Sequence, residues 1–243
     1  MIIIHDSRLP VKYTDGLSGL FPGSLLIPLD MSGKSGVYES IISHPDIYFF
    51  QPDERTLVHS PNMRKDVLDN LCELGIKLIP GEVSPSGNYP GTVLYNAVRI
   101  GRFVVGNFEY LDNAVKEVIR EMGLSPVDVA QGYSRCSVLP LNDNCAITSD
   151  KGISRELEKN GVDTLHISHG HIVLPGEERG FIGGSGGRTP DGSVAVLGDV
   201  VFHPDTQRIR EFTLRKNINF LDLAGCPLYD AGSIIFLKFK ERK

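Results

Sequence analysis

The sequence predicts an α/β fold made of five similar strand–helix–strand units set in a ring. Three observations carry this expectation. Five short apolar runs each end on a residue suited to cap a helix: Leu25–Leu29 into Asp30, Thr56–His59 into Ser60, Phe103–Gly106 into Asn107, Ala146–Ser149 into Asp150 and Val194–Gly198 into Asp199. A helical apolar pattern, a breaker and a second apolar run follow each of them. The capping residues lie 30, 47, 43 and 49 positions apart, which is too loose for a stacked solenoid.

Met1–Ile4 reads as a first strand, too short for a signal peptide or a membrane span. The first unit is the least regular, with a helix expected near Ser35–Ile42 and a strand at Ile47–Phe50. In the second unit Ser60 caps, Pro61 takes the first helical position and Met63, Val67, Leu71 and Leu74 share one face. Gly75 then ends the helix before a strand at Ile76–Ile79. The third unit has Asp112 as a second cap, a stripe of Val115, Val118, Ile119 and Met122, and Gly123 as its end. In the fourth, Ile153 and Leu157 form the stripe and Asn160-Gly161 stops it before a strand at Val162–Ile167. In the fifth, Ile209, Phe212 and Leu214 give a weaker stripe and Asn217 replaces the glycine ahead of Ile218–Leu223. Further strands are expected at Thr92–Ile100, Ser137–Leu141, His171–Leu174, Gly180–Gly183 and Ser233–Phe239. These extra strands, and five helical units where eight are needed, disfavour a (β/α)8 barrel. No glycine fingerprint follows an early strand, which disfavours a doubly wound nucleotide-binding fold. No linker divides the chain, so residues 1–243 read as one domain.

Composition narrows the function. An apolar fraction of 41% and a charged fraction of 23% suit a soluble globular chain. A net charge of −5 gives no reason to expect nucleic acid or an anionic membrane as partner. Cys72, Cys136, Cys145 and Cys226 form no CxxC pair and read as reduced thiols of a cytoplasmic protein. The basic tail Lys238–Lys243 reads as a strand end with a solvated terminus.

The unit plan resembles the pentein fold, the five-bladed β/α-propeller of the guanidine-group-modifying superfamily. Three stretches support it in the expected order: Tyr95–Val105, Gly170–Leu174 and Asp230–Ile235. The superfamily includes arginine and agmatine deiminases, amidinotransferases, dimethylarginine dimethylaminohydrolases and non-catalytic members. The resemblance implies a carboxylate, a histidine and a cysteine nucleophile around a guanidinium. The carboxylate address falls before Ala97, where this chain has Tyr95 and Asn96. An asparagine cannot compensate a desolvated cation, which argues against a guanidinium substrate. The histidine address falls on His171. The nucleophile address, after Gly232, holds Ser233, and Cys226 lies seven residues earlier. Cys226 serves only with a shifted loop and otherwise fills apolar space beside Pro227. Ser233 is a nucleophile only with a dedicated base, and otherwise a structural strand-entry residue.

His166, His169 and His171 form an HxxHxH cluster, but only His169 and His171 share a strand face, so no metal is expected. Met31–Ser35 contains GKS, yet Pro28 stands where a phosphate-binding loop needs glycine. Lys34 remains placed for an anion at a helix start. The glycine-dense Phe181–Arg188 is either a flexible loop or a backbone in close approach to a ligand or the axis, with Arg188 as an anion contact. Glu109 follows a strand end, and His203 is a second base candidate.

The sequence therefore points to a divergent pentein that binds a small polar ligand in its central cleft, without the superfamily's cysteine hydrolase activity and without a cofactor. Asn96, Glu109, Arg188 and Ser233 are the expected binding residues. One alternative is an amidinohydrolase or amidinotransferase with His171 as acid–base and Cys226 as nucleophile. Another is a non-catalytic interaction protein.

Overall fold

In a computed structural model that describes residues 1–223 and 225–239, the chain repeats one βαβ unit with a third strand added to each sheet. β1 (Ile2–Asp6) passes through α1 (Val11–Leu20) into β2 (Leu25–Leu29). The short β3 (Gly36–Val37) and α2 (Pro45–Tyr48) lead to β4 (Phe49–Asp53). β5 (Thr56–His59), α3 (Lys65–Glu73) and β6 (Lys77–Pro80) follow, and β7 (Ser86–Gly87) pairs back with β3. Next come β8 (Val98–Ile100), β9 (Phe103–Gly106), α4 (Asn113–Glu121) and β10 (Ser125–Asp128). α5 (Ser134–Ser137), β11 (Val138–Asn142), β12 (Cys145–Thr148), α6 (Lys151–Lys159) and β13 (Asp163–His166) make the next unit. β14 (Gly186–Arg188), β15 (Val194–Val196), α7 (Thr206–Arg215), β16 (Phe220–Asp222) and β17 (Ile235–Leu237) complete the chain.

Each of the five three-stranded sheets is mixed. A helix crossover makes two strands parallel (β1–β2, β5–β6, β9–β10, β12–β13, β15–β16). A tight turn adds an antiparallel inner strand: β4 on β5, β8 on β9, β11 on β12 and β14 on β15. The first sheet receives its inner strand from the far end of the chain, with β17 antiparallel to β1. Inner strands neighbour one another in the order β4, β8, β11, β14, β17. Gln51 Nε2 donates to Phe236 O at 2.7 Å and Lys238 N to Glu54 O at 2.8 Å, joining β17 to β4.

The helices bury most of the expected stripes, Val67 and Leu71 on α3, Val115, Val118 and Ile119 on α4, Ile153 and Leu157 on α6, and Ile209 and Phe212 on α7, whereas Met63 precedes α3 and Met122 is 40% exposed beyond α4. Each fully buried side chain contributes about 1.5–3 kcal/mol relative to an exposed one. Asp112 and Asp150 cap α4 and α6 by accepting from Ala114 N and Ile153 N. Gly75, Gly123, Gly161 and Asn217 end their helices in the left-handed conformation.

Several expectations are corrected. The first unit starts at Ile2, and Leu25–Leu29 is its outer strand; its helix is α1, which has no side-chain cap. Asp30 accepts Ser32 N in a local turn instead of capping a helix, and residues 35–42 hold β3 and a single 3₁₀ turn at Glu39–Ile41. Ile47 and Tyr48 close α2. Ser60 does not cap α3, which begins at Lys65, and Asn107 accepts Glu109 N in a turn. Of Thr92–Ile100 only the last three residues are strand. Leu214 faces solvent, 76% exposed. His171–Leu174 makes only the single bridge Val173–Tyr229, because Gly170 and His171 have φ of 87° and 63°. Gly180–Gly183 is not a strand either, since Ser185 N turns back to Ile182 O. The strand in this region is β14, within the glycine-dense stretch. The basic tail from residue 240 lies outside the described residues.

The glycines of that stretch are there for close approach. A Cβ on Gly183 would lie 2.3 Å from the carbonyl oxygens of Arg135 and Val138, and one on Gly187 2.1 Å from Ile234 O. Backbone cannot yield as a flexible side chain does. Gly187→Ala is therefore expected to destabilise the protein by about 1–3 kcal/mol. Gly19→Ala, in α1 where a Cβ meets nothing within 4 Å, is expected to stabilise it by about 0.5–1 kcal/mol. Urea unfolding midpoints of the two variants check the opposite signs.

Candidate functional site

Two or three residues before the inner strands, side chains from four sheets meet in a buried polar knot. Asp46 in α2 precedes β4, Asn96 precedes β8, Cys136 in α5 precedes β11 and Ser233 precedes β17; all four are buried. Asp46 Oδ2 accepts from Ser233 Oγ at 2.7 Å and from Cys136 Sγ at 3.0 Å. Ser233 Oγ also lies 3.1 Å from Gly183 O. Asn96 Nδ2 donates to Asp46 O and to Cys136 Sγ, and its Oδ1 accepts Arg135 N at 2.7 Å. Asp46 Oδ1 has no partner among the described residues.

The electrostatics favour protonated groups. Burial drives the Cys136 thiol well above its ordinary range, and the Asp46 and Asp230 carboxylates push the same way. Burial also raises the Asp230 carboxyl, although it accepts Phe181 N at 2.8 Å and Gly232 N at 2.9 Å. Gly184 is required beside it, since a Cβ there would sit 2.0 Å from Asp230 Oδ1. Arg135 spends its guanidinium on carbonyls, donating to Gly183 O at 2.9 Å and Gly186 O at 3.0 Å. Burial lowers its pKa, and Asp46 opposes that shift.

Of the expected site residues, the structure brings together Asn96 and Ser233. His171 is elsewhere, exposed, with its ring against His203 at 5.7 Å. His203 Nδ1 accepts Asp205 N, its Nε2 is buried with no partner among the described residues, and burial lowers its pKa. Cys226 is half-buried and packs against the apolar cluster of Tyr13, Leu17 and Leu223. Glu109 is exposed after the Asn107 turn. Arg188 pairs with Asp143 at 2.5 Å. Among the described residues no metal-ligating cluster forms, and no helix is long and apolar enough to cross a membrane.

Sequence reasoning missed Asp46 and Cys136. Asp46 was hidden in the irregular first connector, and Cys136 passed as an ordinary thiol. Their shared signal is position: each precedes an inner strand, as Asn96 and Ser233 do.

Asp46 and Arg135 also border a cavity of about 810 Å³ among the inner strands. Strand residues such as Gln51, Arg99 and Phe236, and loop residues including Arg55, Asp143 and Lys238, supply the rest of its wall.

This architecture defines a class. The fold is the pentein α/β fold of its structural neighbours. The chain matches a dimethylarginine dimethylaminohydrolase from Pseudomonas aeruginosa, a cysteine-to-serine mutant in complex with citrulline, with a TM-score of 0.53 and 10% identity over 91% of each chain. It matches the inosamine-phosphate amidinotransferase of Streptomyces griseus with a TM-score of 0.51 and 12% identity over 94% of this chain and 79% of that one. A saxitoxin-pathway amidinotransferase from Microseira wollei matches with a TM-score of 0.51 and 10% identity over 99% and 95%. The chain belongs to the DUF6873 family, a family of unknown function, whose model covers residues 25–235. No curated protein matches the chain.

In the native protein, Cys136 is expected to resist iodoacetamide at pH 8 while exposed Cys72 is alkylated; peptide mapping by mass spectrometry reads the order. Near the histidine segment, Asp205 accepts Ser168 N and Arg208 Nη1, both at 2.6 Å. Burial acts to raise its carboxyl, but those donors outweigh it and hold the pKa down to about 2, against 3.8 unfolded. A depressed carboxylate stabilises the fold above the unfolded pKa and loses that contribution as pH falls through the folded one. The stability gap between wild type and Asp205→Asn is therefore expected to be full near pH 6 and to close by about pH 2.

Proposed function

We propose that the five sheets are the blades of a β/α-propeller, and that the protein binds a small polar molecule in the cavity at its centre without hydrolysing a guanidino group. One observation carries the second half: Asp46 Oδ2 accepts the hydrogens of both Ser233 and Cys136. A cysteine hydrolase needs an ionised thiol with a histidine at hand. Here the thiol of the knot is buried beside a carboxylate, which disfavours the thiolate. Ser233, at the nucleophile address, donates to Asp46, and its hydroxyl makes no hydrogen bond to a histidine among the described residues. Cys226 packs in an apolar cluster, which is the role of a filler.

The structural neighbours are a dimethylarginine dimethylaminohydrolase in complex with citrulline and two amidinotransferases, and this chain shares their fold. Incubation with arginine, agmatine and methylarginines is expected to give no citrulline or carbamoyl product above the blank. Product that disappears in Cys226→Ala would instead establish the amidinohydrolase reading.

A further inference from the structure

The cavity carries a charge opposite to that of the chain. The protein has a net charge of −5, yet the cavity wall holds six cationic side chains against four acidic ones. Three of the four acids are already engaged, Asp46 by Ser233 and Cys136. Asp53 accepts Arg55 N at 2.7 Å and Thr56 Oγ1 at 3.0 Å, and Asp143 pairs with Arg188. The two half-buried guanidinium groups, in contrast, meet only neutral acceptors. Arg99 donates from Nε to Gly101 O and from Nη1 to Pro52 O, both at 2.7 Å, while Arg135 donates to carbonyls of the glycine-dense stretch. Neither forms an ion pair with a carboxylate among the described residues. Carbonyls fix the plane of Arg99 without neutralising it, and its Nη2 makes no hydrogen bond among the described residues. A held guanidinium with an unused edge and uncompensated charge is suited to a planar or tetrahedral oxyanion.

We propose that the turn-side half of the cavity, around Arg99, is an oxyanion site that takes the carboxylate or phosphate group of the bound molecule. This rests on the reading of the cavity as a ligand site. Arg55, Lys77, Arg188 and Lys238 line the same cavity and add attraction that salt screens.

Isothermal titration of the whole protein with inorganic phosphate, and separately with malonate, tests it. Saturable binding of one of them is expected, weakened at least tenfold in Arg99→Gln and weakened by added salt. The tighter of the two names the source, phosphoryl or carboxylate. Arg188→Gln, at an exposed position, is a second variant that keeps the test valid should Arg99→Gln unfold, and at least a threefold loss is expected there. Binding that neither variant changes overturns the site. Saturable binding of agmatine with no binding of either anion overturns the oxyanion site alone. Absence of binding by all three overturns both this site and the ligand reading beneath it.

Discussion

The fold depends on one buried carboxylate. Asp46 precedes the second sheet's inner strand, and through its side chain or backbone it meets Ser233 of the first sheet, Asn96 of the third and Cys136 of the fourth. Its partners lie 187, 50 and 90 residues away in sequence, so these bonds exist only when the inner strands have come together. Burying a charge costs several kcal/mol unless donors and opposite charge compensate. Two donors on Oδ2 and the charge of nearby Arg135 offset part of that cost, while Oδ1 stays unmatched. The same carboxylate holds Ser233 at φ 73°, a left-handed conformation that costs a non-glycine residue about 1–3 kcal/mol.

Close approach at β14 is the second half of this arrangement. Gly183, Gly184, Gly186 and Gly187 lack room for a Cβ, so the chain passes there as bare backbone. Bare backbone brings carbonyls that need donors. Arg135, from α5, reaches across and supplies them at Gly183 and Gly186. The glycines and the arginine are thus one device: the sheet gives up side chains, and a neighbouring unit contributes a single long one in their place.

What the sequence disclosed was local. Helix stripes on α3, α4 and α6, the caps Asp112 and Asp150, and the stops at Gly75, Gly123, Gly161 and Asn217 could all be read, because each depends on neighbours within a turn or two. The first unit could not. α1 contains Gly16 and Gly19 and has no side-chain cap, and β1 receives its inner strand from residues 235–237, more than two hundred positions away. Inner strands such as β8 and β14 have three residues, too few for an alternating pattern to register. Asn96 and Ser233 were found through family resemblance, whereas Asp46 and Cys136 become visible only when the offset before each inner strand is compared.

The knot also bears on the chemistry of its own thiol and hydroxyl. A nucleophile must lose its proton to a base matched in pKa, and its anion must then be stabilised. Asp46 does the reverse. A carboxylate beside a thiol in a buried site raises the cost of a second negative charge, so Cys136 stays S–H and donates its hydrogen bond to Asp46. Ser233 is held in the same way. Asn96, neutral and able both to donate and to accept, satisfies the backbone N–H groups of Arg135 and Cys136 and adds no further charge. Each group that could have faced a substrate is therefore turned towards its neighbours. The cavity wall keeps further donors, among them Arg99, whose guanidinium meets only carbonyl oxygens among the described residues.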